Sequence, residues 1–202
     1  MEKALMRPSV AYAKQYFEVK GITDLKIAEV GVYKGEHALE MAEALNPEKF
    51  YLVDAYDEEG EAPFQKASAR LKDLKSAIWI RNYSNIAVGM VQEDLDFIYL
   101  DAGHWECQVI MDIVCWFFRT KIGGIIAGHD FKLCDVHQAV ARIFGWDFFF
   151  QDEDWWYVKT DIKFPQILGI RYPLIKGTYG WLTHDPNAKT HIEIRNEQAN
   201  KS

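Results

Sequence analysis

The sequence has no long hydrophobic run. The uncharged, mainly apolar stretch near the middle, residues 122–129, has only eight residues, whereas a membrane-spanning helix needs roughly 20 apolar residues. The first residues, Met1–Pro8, contain charged side chains and no apolar core of signal-peptide length. We therefore expect a cytoplasmic protein that does not associate with a membrane.

Cysteine is also scarce. The three cysteines, Cys107, Cys115 and Cys134, are odd in number and form no Cys-x-x-Cys pair. Disulfide frameworks normally use an even number of cysteines, and redox motifs use closely spaced pairs. The pattern predicts reduced, buried thiols, as is usual in a cytosolic protein.

Positive charge is in deficit. The chain has 23 Lys and Arg against 30 Asp and Glu, which gives a net charge of −7. Proteins that bind nucleic acids broadly present clustered basic residues to the phosphates, so we do not expect a nucleic-acid partner. The 49% hydrophobic and 26% charged residues are the ordinary composition of a globular protein.

Apolar runs and helical spacings alternate along the chain. The runs predict strands at 26–30, 50–54, 77–80, 95–101 and 122–127, and a hairpin at 148–151 and 155–159. The spacings predict helices at 3–19, 36–45, 63–75, 85–91, 107–118 and 136–144. Alternating strands and helices predict an α/β fold, with a Rossmann-like, doubly wound, mostly parallel seven-stranded sheet and helices on both faces.

The same pattern suggests three segments. Residues 1–21 form an N-terminal helical segment, residues 22–159 form the α/β domain, and residues 160–202 form a C-terminal extension. The extension contains three of the six prolines and is more basic than the rest of the chain. It is either a loosely packed tail or a lid, substrate wall or subunit contact. The apolar and aromatic C-terminal half is also a candidate homo-oligomer contact.

Two glycines and an acid follow the first two predicted strands. Gly31 comes directly after the first strand, Gly35 begins the next helix, and Asp54 ends the second strand. Ligands of parallel sheets bind beyond the carboxyl ends of the strands, where an acid can accept hydrogen bonds from ribose hydroxyls. Tyr33 occupies the position where dinucleotide-binding loops carry a second glycine. The loop therefore favours a nucleoside ligand without a pyrophosphate over a purely structural turn.

Three segments carry a resemblance to a known family. Residues 27–35 (IAEVGVYKG) resemble motif I of the class I S-adenosylmethionine (SAM)-dependent methyltransferases. Residues 96–104 (DFIYLDAGH) and 122–130 (IGGIIAGHD) resemble the D-x-x-x-x-D-G-x-H and G-G-x-x-x-x-H-D motifs of one branch. That branch includes small-molecule and sugar O-methyltransferases, some of which need magnesium. The similarity covers roughly residues 22–159.

The resemblance implies a set of cofactor-binding residues. Glu29 and Gly31 would line the pocket for the methionine part of SAM, and Asp54 would hold the ribose hydroxyls. Residues 82–84, which begin with Asn82, would lie near the adenine, and Asp101 would face the methyl-transfer zone. The full set of predicted cofactor-binding residues is Glu29, Gly31, Tyr33, Gly35, Asp54, Tyr56, Tyr83, Ser84 and Asp101.

A second cluster follows the fourth and fifth strands. Asp101 and Asp130 are candidate ligands of a magnesium ion, which prefers oxygen ligands and would lower the pKa of an acceptor hydroxyl. Alternatively His104 or His129 removes the hydroxyl proton, because histidine titrates near neutral pH. The candidate catalytic residues are thus Asp101, His104 and His129. A structural alternative is that His129 and Asp130 only stabilise the loop after the fifth strand.

Two departures from the branch bear on this cluster. Gly103 stands where relatives often have an acidic residue. If that acid serves as a base or metal ligand in the relatives, this chain either lacks the group or uses His104 instead. Trp105 replaces a small polar residue. It belongs to a set of aromatics for which we expect core packing more than substrate contact: Trp105, Phe131, Trp146, Trp155, Trp156 and Trp181.

The leading hypothesis is a SAM-dependent methyltransferase that modifies a small-molecule acceptor at oxygen. A nicotinamide-dependent oxidoreductase is the nearest enzymatic alternative, although Tyr33 and the short chain disfavour it. A non-catalytic nucleoside-binding protein with the same fold is the alternative from a different class. The sequence does not identify the acceptor.

Overall fold

The computed structural model describes residues 6–57, 60–145 and 147–161. Seven strands form one sheet: β1 (Lys26–Val30), β2 (Lys49–Val53), β3 (Ala77–Ile80), β4 (Leu95–Leu100), β5 (Thr120–Gly128), β6 (Phe149–Gln151) and β7 (Asp154–Val158). Six helices accompany them: α1 (Pro8–Lys20), α2 (Glu36–Leu45), α3 (Glu61–Arg70), α4 (Ser84–Met90), α5 (Glu106–Phe117) and α6 (Cys134–Phe144).

The strand order is β3-β2-β1-β4-β5-β7-β6. The first five strands in this order are parallel, and β7 joins β5 in the antiparallel direction. The chain moves outward to β3 and then returns to β4 beside β1, so the topological switch point lies between β1 and β4. The predicted α/β fold with a mostly parallel seven-stranded sheet is confirmed.

Side chains of successive strand residues point to opposite faces of the sheet and pack into two cores, one on each face. On one face, Phe97 of β4 packs among the buried residues of α1, α2 and α3, such as Phe17 and Met41. On the other face, Ile98 packs with residues of α5 and α6, such as Trp116. Both faces of the central strands are therefore covered, which explains their nearly continuous apolar sequences.

Two predicted helices differ from the structure by five residues at one end, and the other helix ends agree within two residues. The first helix begins at Pro8 rather than at residue 3, and proline favours the first helical position because its ring fixes φ and it needs no N–H partner there. The helix predicted at 63–75 spans Glu61–Arg70 and is followed by turns. Leu71 and Leu74 still pack into the core from those turns, which produced a helix-like apolar spacing beyond the helix.

The predictions for single side chains had mixed outcomes. Phe131, Trp155 and Trp156 are buried core residues, as expected, whereas Trp105 is half-buried and lies outside the core. Trp146, Trp181 and the extension beyond residue 161 lie outside the described residues. The three cysteines are free, but the prediction that they are buried is wrong: Cys107 is exposed, and the other two, on α5 and α6, are half-buried. In the described part of the chain, no helix is long and apolar enough to cross a membrane.

Candidate active site

A cavity of about 760 Å³ lies beyond the carboxyl ends of β1, β2, β3 and β4. All nine predicted cofactor-binding residues except Gly35 line it, and so does His104. Ligands of parallel sheets bind at this edge, at the switch point. Gly35 lies just behind the cavity wall, where an added Cβ would lie 3.2 Å from Ala67 of α3. Its role is therefore the close packing of α2 on α3.

Gly31 brings β1 and β4 together at the floor of the cavity. Its φ is +96°, and a Cβ at this position would lie 2.0 Å from the carbonyl oxygen of Asp101. Only glycine tolerates both conditions. The amide of Gly31 donates to the carbonyl of Val53, 2.8 Å away, so the loop is also tied to β2. The glycine thus allows the loops after β1 and β4 to approach each other at the floor of the cavity.

The carboxylate of Asp54 is held by two backbone amides. The amide of Tyr33 donates to Oδ2 and the amide of Tyr56 donates to Oδ1, both at 2.8 Å. Both tyrosines have positive φ, which orients these amides toward Asp54. Each carboxylate oxygen retains a lone pair for a further donor. The Tyr33 ring is 43% exposed, so it lies at the rim of the cavity.

Glu29 is a buried carboxyl paired with a histidine that the sequence did not indicate. Its Oε1 lies 2.8 Å from Nδ1 of His37, and both residues line the cavity. Burial raises the pKa of Glu29 well above its usual value and lowers the pKa of His37 to about 4. Among the described residues, Oε2 of Glu29 and Nε2 of His37 have no partner. The only sequence signal for His37 is its position in the first turn of α2, two residues after Gly35.

The residues after β3 form the far wall. The Tyr83 amide donates to Oδ1 of Asn82, and Nε1 of Trp116 donates to Oγ of Ser84. Ser84 also hydrogen-bonds Asp112, a residue of α5 that lines the same wall and that sequence reasoning missed. Burial raises the pKa of Asp112 to about 6, although the hydrogen bond with Ser84 opposes this shift. No motif marks Asp112, since it lies mid-helix on an apolar face.

The structure brings the four residues of the predicted second cluster together. Nε2 of His104 lies 2.7 Å from Oδ2 of Asp130 and 3.9 Å from Oδ1 of Asp101. Nδ1 of His129 lies 3.3 Å from Asp130 and 3.9 Å from Asp101. β4 and β5 are adjacent parallel strands, so the groups that follow them meet at one edge of the sheet.

The cluster is strongly coupled electrostatically. Hydrogen bonds to Asp101 and Asp130 raise the pKa of His104 to about 9, against the effect of burial. Burial lowers the pKa of His129, but the hydrogen bond to Asp130 and the nearby carboxylates outweigh it and the net shift is upward. Burial raises the pKa of Asp130, but both histidines outweigh it and the pKa falls well below its usual value. Opposite charges therefore hold the cluster together.

Residues 101, 104 and 130 could also hold a metal ion. One ligand atom from each of Asp101, His104 and Asp130 lies within 4.8 Å of the others. The prediction had assigned only Asp101 and Asp130 as ligands, and the structure adds the imidazole of His104 as a third donor. A set of two carboxylates and one imidazole suits divalent cations, including transition metals.

Arg7 is a further cavity residue that the sequence does not indicate. Arg7 precedes α1, and its Nη1 donates to the hydroxyl of Tyr99 at 2.5 Å and lies 3.5 Å from Oδ2 of Asp101. Nothing in the sequence around Arg7 indicates this position, because its partners are more than 90 residues away.

Several solved structures share the fold. An rRNA methylase from Streptococcus thermophilus matches with a TM-score of 0.58 and 18% identity, covering 80% of this chain and 99% of that one. A Streptococcus mutans protein assigned as a methyltransferase, in complex with S-adenosylhomocysteine (SAH), has a TM-score of 0.57 and 14% identity, covering 75% and 98%. A precorrin-6y C5,15-methyltransferase from Geobacter metallireducens has a TM-score of 0.53 and 12% identity, covering 69% and 70%. At these identities the likeness establishes the fold alone.

The sequence comparison is more specific. No curated protein matches the chain in sequence. A family model described as a methyltransferase domain matches residues 28–131, just over half of the chain. The match includes Gly31, Asp54 and the Asp101–Asp130 cluster. The chain therefore belongs to this methyltransferase-domain family, and the predicted enzyme class, a SAM-dependent methyltransferase of class I, is confirmed.

Proposed function

We propose that this enzyme methylates a hydroxyl oxygen of a small-molecule acceptor and belongs to the small-molecule and sugar O-methyltransferase branch. The proposal rests on the position of the Asp101–His104–His129–Asp130 cluster. Asp101 and His104 line the same cavity as Gly31 and Asp54. A cofactor bound over Gly31 would therefore have groups that can activate a hydroxyl beside it.

The cavity residues fit the parts of SAM. Asp54, fixed by two amides, would accept hydrogen bonds from the ribose hydroxyls. The partnerless Oε2 of Glu29 would accept from the ammonium group, and the cavity beside Gly31 would admit the methionine chain. Asn82 and Ser84 would border the adenine. The cofactor supplies an electrophilic methyl group on its sulfonium.

The chain's own groups would position and deprotonate the acceptor. The acceptor oxygen forms the new bond to the methyl carbon as the carbon–sulfur bond breaks, and the hydroxyl proton leaves to a base. A divalent cation held by Asp101, His104 and Asp130 would lower the pKa of the hydroxyl. The base would be the neutral form of His129, or of His104 where no cation is bound; of these two, His104 lines the cavity. Correct placement of the nucleophile supplies much of the rate.

Charge around the cavity favours a small acceptor over RNA. Six acidic side chains line it, of which Glu29 and Asp112 are buried and have raised pKa values: Glu29, Glu36, Asp54, Asp57, Asp101 and Asp112. A chain of phosphates would be repelled from such a rim, and RNA-binding proteins normally supply basic residues there. The fold is nevertheless shared with an rRNA methylase, so RNA has to be included in the test.

The cofactor assignment can be tested by calorimetric titration with SAH. We expect Asp54→Ala to weaken SAH binding roughly tenfold, about 1.4 kcal/mol. The matched control is Asp73→Ala, which removes an exposed aspartate outside the cavity. An unchanged dissociation constant in folded Asp54→Ala would contradict the ribose assignment.

The acceptor and the metal can be tested together with SAM that carries a labelled methyl group. The substrates are a panel of phenols and sugars and, separately, rRNA. We expect label only in hydroxyl-bearing small molecules, loss of labelling with EDTA, and recovery with excess Mg²⁺ or Mn²⁺. Asp130→Ala should abolish labelling, whereas Asp73→Ala should not.

Each alternative outcome has a definite meaning. Labelled rRNA would contradict the small-molecule assignment. Equal activity with and without EDTA would contradict the metal assignment and leave His104 or His129 as the base.

A further inference from the structure

We infer that Arg7 binds the carboxylate of the methionine part of SAM, an inference that rests on the proposed cofactor site. The methionine part carries an ammonium and a carboxylate on one carbon atom. A site for it therefore needs an acceptor and a cation at neighbouring points. Glu29 supplies the acceptor, and the question is which group supplies the cation.

The charges of the cavity leave few choices. In the described part of the chain, the permanently charged cations that line the cavity are Arg7 and Lys34. The Lys34 ammonium lies 4.1 Å from the centre of the Tyr33 ring, at the exposed rim. Arg7 instead lies beside Asp101, whose backbone carbonyl approaches Gly31. Only Arg7 is therefore at the end of the cavity where Glu29 lies.

Electrostatics places Arg7 close to that end independently. Its positive charge lowers the pKa of both Glu29 and His37. For Glu29 this opposes the effect of burial, and for His37 it adds to it. A ligand carboxylate near Asp101 would otherwise face a like charge. Because like charges at short range are unfavourable in a partly buried site, the carboxylate needs a guanidinium there.

Arg7 is held firmly from three sides. Its backbone amide donates to Oε1 of Glu40 on α2 at 2.7 Å. Its Nη1 donates to Tyr99 on β4, and Tyr99 donates in turn to Oδ1 of Asp154 at 2.8 Å. The same Asp154 accepts from the amide and the hydroxyl of Ser9, two residues after Arg7. The side chain is thus preorganised, which lowers the entropic cost of binding a ligand.

The guanidinium retains binding capacity. Among the described residues, both of its hydrogen bonds use Nη1, and the one to Asp101 is long at 3.5 Å. Nη2 and Nε have no acceptor in the described part of the chain. These two nitrogens form one edge of the fork that pairs with a carboxylate in a bidentate manner.

The test compares two ligands that differ only in the carboxylate: SAH and decarboxylated SAH. We expect the wild-type protein to bind SAH at least tenfold more tightly in calorimetric titrations. Arg7→Met should weaken SAH binding tenfold or more and change the binding of decarboxylated SAH less than twofold. Arg7→Lys should give an intermediate loss, because lysine keeps the charge but not the fork.

Two variants serve as controls. Lys34→Met removes the other cation of the cavity and should leave the ratio of the two affinities unchanged. Asp73→Ala removes an exposed residue outside the cavity and should leave both affinities unchanged. Circular dichroism checks that each variant is folded. If a variant is not folded, the ratio of the wild-type affinities for SAH and decarboxylated SAH still tests whether the site recognises the carboxylate.

The outcomes separate this inference from the proposed function. Equal affinity of the wild-type protein for the two ligands would overturn the role of Arg7 and leave the cofactor site intact. An equal loss for both ligands in Arg7→Met would also overturn it, because it would make Arg7 a structural residue. No binding of SAH to the folded wild-type protein would overturn the cofactor site itself.

Discussion

Gly31 is the residue on which the close approach of β1 and β4 depends. Substitution Gly31→Ala would place a Cβ 2.0 Å from a backbone carbonyl oxygen, which no side-chain rearrangement relieves. We expect the free energy of unfolding to fall by at least about 2 kcal/mol, as in overpacked cores, and SAH binding to weaken. Urea denaturation measures the first effect.

The matched control for Gly31 is Gly89. It lies in α4, it has ordinary φ, and nothing lies within 4 Å of an added Cβ. Gly89→Ala should stabilise the protein by about 0.5–1 kcal/mol, because alanine loses less backbone entropy in a helix. Similar unfolding free energies for both variants would contradict the steric role assigned to Gly31.

The Asp112 side chain gives a second prediction for a single residue, which concerns the pH dependence of stability. Its pKa is raised from 3.8 to about 6 in the folded protein, so the folded state binds more protons than the unfolded state between these values. Stability contributed by the protonated carboxyl is therefore lost as pH rises through this window. Asp112→Asn removes the charge and retains a partner for Ser84.

We expect Asp112→Asn to match the wild type at pH 4 and to be more stable by about 2–3 kcal/mol at pH 7, where the carboxylate is ionised. The measurement is the unfolding free energy of both proteins across this range. A difference that does not change with pH would show that the carboxyl is not desolvated in the folded state.

At the scale of elements, α1 depends on a long-range polar anchor. Oδ2 of Asp154 accepts from the Ser9 hydroxyl at 2.6 Å and from the Ser9 amide at 3.1 Å, at the N-terminus of the helix. Both residues are buried, with exposed fractions of 0% and 1%. A carboxylate at this end of a helix also interacts favourably with the helix dipole. The start of α1 is thus fixed to β7, close to the cavity.

Removal of this anchor should be costly. We expect Ser9→Ala to lower the unfolding free energy by about 1–3 kcal/mol, since it leaves a buried carboxylate with fewer donors. Faster hydrogen exchange in the first turns of α1 should accompany the change. Ser68→Ala on α3, whose side chain makes no hydrogen bond with described residues, should stay within about 0.5 kcal/mol of the wild type. Equal stability of the two variants would contradict the anchoring role.

At the scale of the whole molecule, the sequence predicts the sheet far better than the cavity. Strands such as β4 are apolar on both faces and end in an acid, so local patterns locate them and their functional ends. The motif around Gly31 and the acids that follow β2 and β4 can likewise be recognised from the local sequence. Arg7, His37 and Asp112 do not, because their roles arise from contacts with residues that are distant in the chain or that lie on another element. Periodicity and spacing carry no information about such contacts.

Ligand binding should stabilise the whole fold, because the cavity is lined by residues at or after the ends of four strands, by Arg7 before α1, and by residues of α2, α4 and α5. A ligand that binds only the folded state adds about 2.7 kcal/mol at a concentration one hundred times its dissociation constant. In a protein of this size we expect the melting temperature to rise by about 5–10 °C with SAH. NAD⁺ at the same concentration should give no shift, since Tyr33 lies where a dinucleotide-binding loop carries its second glycine. A thermal melt with both ligands measures this, and a shift with NAD⁺ but not with SAH would contradict the assignment of the cavity.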